Sequence, residues 1–259
     1  MKNLMVANSQ RRNKRYSADS MTVLINAQIE NSLNLHWKSR DVLVLGNFKY
    51  RYMDVKVKTI NLNTHCFTGS KMWGVKWVKD NWYEGKKVTI WAHDLDAWQN
   101  VEFKEPKFAH VGIAQYSNTK YNGGSIFWRL PEANDLIDLI CSELDKGQER
   151  EEPTLNRILR LKEYKKRVTV LNNTFNVGCS GFVKRYQRSE KPIHVCHFHP
   201  YNRLAWETHA LDRNKLGEIS ITPRLEALIR KYYPNLATEV VRKEIVCLPT
   251  NSLSSSSPA

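Results

Sequence analysis

Hydrophobic positions along this chain switch between a strand-like and a helix-like period, and the switches mark its elements. Leu4-Met5-Val6-Ala7 is a short apolar run that reads as a strand, followed by a polar, basic loop. A helix then begins near Ser17, Asp19 or Ser20, any of which can cap it. Met21, Ile25, Ile29 and Leu33 recur at four-residue steps with Leu24 beside them, which gives that helix one apolar face to lay on a sheet. Asp41-Val42-Leu43-Val44-Leu45, ending at Gly46, has the continuous apolar character of a buried strand. A βαβ unit is the expected start.

Thr68-Gly69-Ser70 opens a second helix carrying Lys71, Met72, Val75, Lys76 and Val78, which leads into the strand Val88-Thr89-Ile90-Trp91-Ala92. Further strands are expected at Val111-Gly112-Ile113-Ala114 and at Tyr121-Asn122-Gly123-Gly124-Ser125-Ile126-Phe127-Trp128. The two glycines there either admit a ligand close to the backbone or turn a hairpin. Leu136, Leu139, Ile140 and Leu144 share one face of a helix over about residues 135–145, closed by Gly147. Pro153 suits the first turn of another helix, and Val195-Cys196-His197-Phe198 reads as a late strand. Alternating strands and helices predict the α/β class, with one domain over residues 1–250 and a disordered Ser-rich tail over 251–259.

The charge balance adds a partner. Forty Lys and Arg against 26 Asp and Glu leave a formal charge of +14, which concentrates polyanions around the molecule. Nucleic acid is the leading polyanion, and an anionic membrane surface competes with it. The excess is spread over Arg11-Arg12-Asn13-Lys14-Arg15, Lys162 to Arg167, Lys184 to Lys191 and Arg224 to Lys231. No apolar run approaches a membrane span, and the basic run soon after Lys2 does not suit a signal peptide, so a soluble, cytoplasmic protein is expected. Five widely spaced cysteines (Cys66, Cys141, Cys179, Cys196, Cys247) without a Cys-x-x-Cys pair argue against disulfides and structural zinc.

Candidate chemistry sits where the apolar strand stops, at His93-Asp94-Leu95-Asp96. Strand alternation sends Asp94 and Asp96 to the same side, and paired carboxylate oxygens suit Mg²⁺ or Mn²⁺, the cations that accompany diphosphates. His197 could complete such a site, although a solvent-facing histidine is the commoner fate. Glu151-Glu152 before Pro153 are either helix-capping acids or chemically active ones.

In their order, a βαβ start, a strand ending in Asp-x-Asp, Tyr121-Asn122-Gly123-Gly124, an acidic pair before Leu155-Asn156 and the strand ending His197-Phe198 resemble the GT-A nucleotide-sugar glycosyltransferases. The resemblance is to the retaining, glycogenin-like and bacterial galactosyltransferase-like group, over roughly residues 3–200. It implies a single GT-A-type, Rossmann-like domain with a mixed central sheet flanked by helices, and transfer of a hexosyl or pentosyl group from a nucleotide sugar, expected to be UDP-linked. Asp94, Asp96 and His197 would hold Mn²⁺ or Mg²⁺ against the diphosphate. Lys71 or Lys76 would face the donor phosphates, Asn122 and Gly123 would lie beside the sugar, and Tyr16 could stack on the base. Glu151-Glu152 stand where the family commonly has Asp-Gln. Glu152, ahead of Glu151, would be the nucleophile or the stabiliser of an oxocarbenium-like centre.

With +14 and no anchor, the chain looks like phage enzymes that glycosylate hydroxymethylated bases such as hydroxymethylcytosine in DNA. Host cytoplasm would then be the site of action. Trp73, Trp77 and Trp82 are candidate surfaces for stacking on a base or wedging it out, or else core aromatics. Three other readings stay open: a glycosyltransferase acting on lipopolysaccharide or another anionic glycan, a nuclease using His197, Asn202 and His209, and a non-catalytic basic DNA-binding protein.

Overall fold

A computed structural model of the chain describes residues 1–9, 17–62, 69–83, 85–147, 149–178, 182–198 and 221–234. β1 (Lys2–Ala7), α1 (Ala18–Asn34) and β2 (Val42–Gly46) form the expected βαβ unit, with β1 and β2 parallel and Leu4 opposite Leu43. Ser17 starts the helix, its hydroxyl oxygen accepting from the Ser20 N–H at 3.2 Å. A short hairpin follows, made of β3 (Arg51–Tyr52) and β4 (Val55–Thr59), whose alternating valines are buried and whose lysines are exposed.

The chain continues through α2 (Ser70–Asn81), β5 (Val88–His93), β6 (Ala97–Gln99), β7 (Val111–Ser117), β8 (Lys120–Leu130), α3 (Asn134–Asp145) and α4 (Glu151–Leu159). After these come β9 (Val168–Val170), β10 (Val177–Gly178), α5 (Phe182–Arg188), β11 (Val195–His197) and α6 (Pro223–Tyr232). Eight strands make one mixed sheet in the order β3-β4-β2-β1-β5-β8-β7-β9, and β10-β11-β6 make a second, small one. This is the GT-A-type α/β arrangement, a mixed sheet flanked by helices.

Side-chain alternation explains why the large sheet carries helices on both faces. Met5, Val44 and Val57 point to a cluster with Ile25 and Ile29 of α1 and Leu225 and Leu228 of α6. Leu4, Leu45 and Ile90 point the other way, to Met72 and Val75 of α2, Ile140 of α3 and Leu155 of α4. Each such side chain contributes about 1.5–3 kcal/mol by leaving water, so both helix layers are held firmly.

Two alternatives left open by the sequence are decided here. Gly123 and Gly124 lie inside β8, not in a hairpin turn, since β8 pairs antiparallel with β5 from Leu130 to Ser125 and the turn before it falls at 118–119. Trp73, Trp77 and Trp82 are half-buried against the α2–α3 cluster, where Trp77 and Trp82 lie under Lys58 and Lys2. They pack the fold, because α2 presents that side to the sheet. Cys141 and Cys196 are buried thiols. No described helix is long and apolar enough to cross a membrane. Tyr16, the run 11–15, Asn202, His209, three of the cysteines and the Ser-rich tail lie outside the described residues.

Candidate active site

Asp94 and Asp96 come together through a turn rather than through strand alternation. β5 ends at His93, and residues 94–96 turn into β6, with the Ala97 N–H donating to Asp94 O at 3.0 Å. The expected mechanism is thereby corrected: a strand continuing through residue 96 would carry the chain past the sheet edge, whereas the turn folds both carboxylates back over it. β11 then pairs antiparallel with β6, placing His197 opposite Ala97, and the Phe198 N–H donates to Asp96 O at 2.9 Å. This small sheet is what carries the histidine to the aspartates.

His197 Nε2 stands 3.2 Å from Asp96 Oδ1 and 3.6 Å from Asp94 Oδ2. One atom from each of the three side chains lies within 4.8 Å of the other two, the only such group of potential metal ligands among the described residues. Burial alone would lower the ring's pKa, but Asp96 and Asp94 outweigh it and hold His197 above the ordinary histidine value. Two carboxylates and an imidazole are a donor set that fits Mn²⁺ or Mg²⁺.

Lys71 organises the second half of the site. It is the second residue of α2 and only 7% exposed, and its ammonium donates to Asp94 Oδ1 at 2.6 Å and Gly123 O at 2.5 Å while pairing with Glu151 Oε1 at 2.9 Å. A lysine has three donors, and these contacts use all of them. In this arrangement Lys71 ties α2, the Asp turn, β8 and α4 into one cluster beside the candidate metal ligands. Lys76 lies elsewhere, paired with Asp80 at 2.8 Å and Asp138 at 2.9 Å, because five residues further along α2 the helix faces α3.

Glu151 and Glu152 are adjacent in sequence and opposite in environment. Glu151 is buried, and that burial pushes its carboxyl up to about 7 even though Lys71 acts in the opposite direction. Glu152 is partly exposed, pairs with Lys120 at 2.8 Å and lies 3.5 Å from the Gly123 N–H. Asn122, beside Gly123, is buried, and its Oδ1 accepts from the Gly124 N–H at 3.2 Å.

Three contributors escape a reading of the sequence. Tyr116 on β7 has the Arg185 guanidinium 4.3 Å and the Lys120 ammonium 5.1 Å from its ring centroid. Burial and then the Glu152 charge push its phenol up to about 12, against Arg185. His93 stacks on Trp91 at 4.1 Å, with Nδ1 2.9 Å from Asp94 O and Nε2 2.8 Å from Asn3 Oδ1, so it braces the turn from below. Tertiary pairing creates these roles, and only the position of His93 next to Asp94 gave any local signal.

No family model matches the sequence. No curated protein matches it either. Solved structures do resemble the fold. The apo-form glycosyltransferase GlyE of Streptococcus pneumoniae TIGR4 superposes with a TM-score of 0.52 at 12% identity over 97% of this chain and 65% of that one. A second GlyE structure gives 0.50 at 13% identity, over 97% of this chain and 66% of that one. A glycosyltransferase involved in glycosylation of the major capsid of PBCV-1 gives 0.49 at 10%, over 76% of this chain and 93% of that one. The chain thus has the fold of a glycosyltransferase and spans about two thirds of the length of GlyE.

Proposed function

We propose that this chain is a divalent-metal-dependent glycosyltransferase that takes a sugar from a nucleotide-sugar donor, expected to be UDP-linked, with residues 1–250 as its catalytic domain. The observation that carries the reading is the convergence of Asp94, Asp96 and His197 within 4.8 Å just beyond the carboxyl end of β5. Ligands of α/β sheets bind at that end of the strands. The GlyE-like fold supports the same reading.

Asp94, Asp96 and His197 would hold the Mn²⁺ or Mg²⁺. When bound, such an ion neutralises charge on the departing diphosphate. Lys71 holds Asp94 and Glu151 in place, and Glu151 fills the buried position behind them. Glu152 is the carboxylate with access to solvent, so it is the one we assign to the anomeric carbon, as nucleophile or as stabiliser of positive charge there. Asn122 and Gly123 line the strand between Lys71 and Glu152, consistent with a place beside the sugar.

For the acceptor, the formal charge of +14 favours a polyanion, and we propose the hydroxymethyl group of a modified base such as hydroxymethylcytosine in DNA, reached in the cytoplasm. Lipopolysaccharide or another anionic glycan is the competing acceptor. Incubation with Mn²⁺, a panel of nucleotide sugars and either hydroxymethylcytosine-containing DNA or lipopolysaccharide, followed by mass spectrometry, separates the two. Sugar on the DNA supports the first, and sugar on the glycan alone replaces it. Release of no nucleotide from any donor would refute the enzyme reading itself.

A further inference from the structure

The β3–β4 hairpin carries a charge arrangement that the fold leaves uncompensated. Arg51 and Lys56 are directly opposite each other across the ribbon, and the same register puts Lys49 across from Lys58. Successive side chains along a strand alternate, so all four cations fall on one face, while Val55 and Val57 point to the opposite face and the α1 cluster. Like charges directly opposite on a ribbon destabilise it. Lys49, Arg51, Lys56 and Lys58 are exposed, and none of them has an ion pair with a described acid. Cations of other basic runs do have acidic partners: Arg167 pairs with Asp135, Arg230 with Glu226 and Lys231 with Glu30.

These cations line a groove of about 600 Å³ together with the half-buried Tyr50. The groove lies on the same sheet as the metal-ligand cluster: three strand spacings of about 4.8 Å separate β4 from β5, roughly 14 Å in all. The Tyr50 side chain faces the other way, onto the α1 cluster, where its hydroxyl donates to Asn26 Oδ1 at 2.8 Å, so the groove offers cations alone. A concavity walled by a row of cations without acidic partners fits a narrow, extended polyanion. A planar lipid surface cannot enter it. A row of cations that tracks successive phosphates is the feature by which a nucleic-acid backbone is held independently of its bases.

We infer that the β3–β4 ribbon is a docking groove for the phosphodiester backbone of a nucleic-acid strand. This deepens the acceptor half of the proposed function and rests on that reading for the choice of polyanion. Binding is tested without donor or metal, so its outcome is independent of sugar transfer.

The test is fluorescence anisotropy of a labelled single-stranded oligonucleotide across a salt series, comparing the wild type with Arg51→Glu/Lys56→Glu. Lys104→Glu/Lys107→Glu, at exposed lysines on another loop, is the control with the same change in net charge. The ribbon variant should bind at least tenfold more weakly, and its log–log salt slope should be shallower by about 1.4, the loss of two phosphate contacts. The control should stay within about twofold, and thermal unfolding should confirm that both variants fold. Equal weakening in ribbon variant and control, or no oligonucleotide binding by the wild type, would overturn the groove. Ribbon-dependent binding to phosphatidylserine vesicles or to an acidic polysaccharide in place of the oligonucleotide would overturn its occupant.

Discussion

Gly124 and His197 compete for one space: a Cβ built on Gly124 would stand 2.2 Å from the imidazole. The glycine in β8 is therefore what allows β11 to bring its histidine over the Asp turn. Gly124→Ala should force the ring away from Asp96, weakening Mn²⁺ binding at least tenfold and destabilising the fold by about 1–3 kcal/mol. In a double-mutant cycle, adding Gly124→Ala to His197→Ala should weaken Mn²⁺ binding little further, because the two changes act through the same contact. Fully additive losses in calorimetric titration would show that the glycine acts elsewhere.

Lys71 is the sole ammonium contact of the buried Glu151, at 2.9 Å, among the ion pairs of the described residues. Removing it strands a carboxylate out of water, so Lys71→Met should destabilise by about 3–5 kcal/mol in urea unfolding. Lys71→Met combined with Glu151→Gln should recover a large part of that loss. A double variant as unstable as the single one would mean that Lys71 supports the fold mainly through Asp94 and Gly123.

Stability should also fall with pH on account of Glu151. Its carboxyl binds a proton more readily in the fold, where burial raises it from 4.5 to about 7, than in the unfolded chain. Between those values the native state holds more protons, so stability declines as pH rises through about 4.5–7 and levels off above. Glu151→Gln should remove a decline of roughly 2–3 kcal/mol over that window. Parallel pH profiles for wild type and variant in denaturant titrations would show that burial does not govern this carboxyl.

Glu152→Gln should lower kcat by at least about a hundredfold with little change in donor KM, since the role assigned to it is exercised in the transition state. Lys76→Ala should leave both constants alone, because its contacts are Asp80 and Asp138. If Glu151→Gln proves the more damaging to kcat without loss of fold, the reacting carboxylate is the buried one.

Much of this was legible from local pattern. The βαβ start, the helix ending at Gly147 and the strand bearing His197 follow from runs and periods that burial imposes directly. Asp94 and Asp96 were legible as a pair, but not the turn that aligns them, because Asp-x-Asp reads alike in a strand and just beyond one. Glu151 and Glu152 were indistinguishable, since both suit a helix N-terminus, and only packing of α4 against Lys71 buries one and leaves the other open. The β3–β4 ribbon does carry a period, the alternation Val55-Lys56-Val57-Lys58, but over so few residues that it reads as readily as a polar loop. Tyr116 and Arg185 meet across a sequence separation that no local signal spans.

The central claim, a metal site that serves nucleotide-sugar cleavage, is tested most directly by nucleotide release from a donor panel with Mn²⁺. The comparison is wild type against Asp96→Ala, which spares the Lys71 contact to Asp94. Metal-dependent release by the wild type, abolished by chelator and reduced at least a hundredfold in a folded Asp96→Ala, is the expected result. Release at the wild-type rate by Asp96→Ala with saturating Mn²⁺ would contradict it.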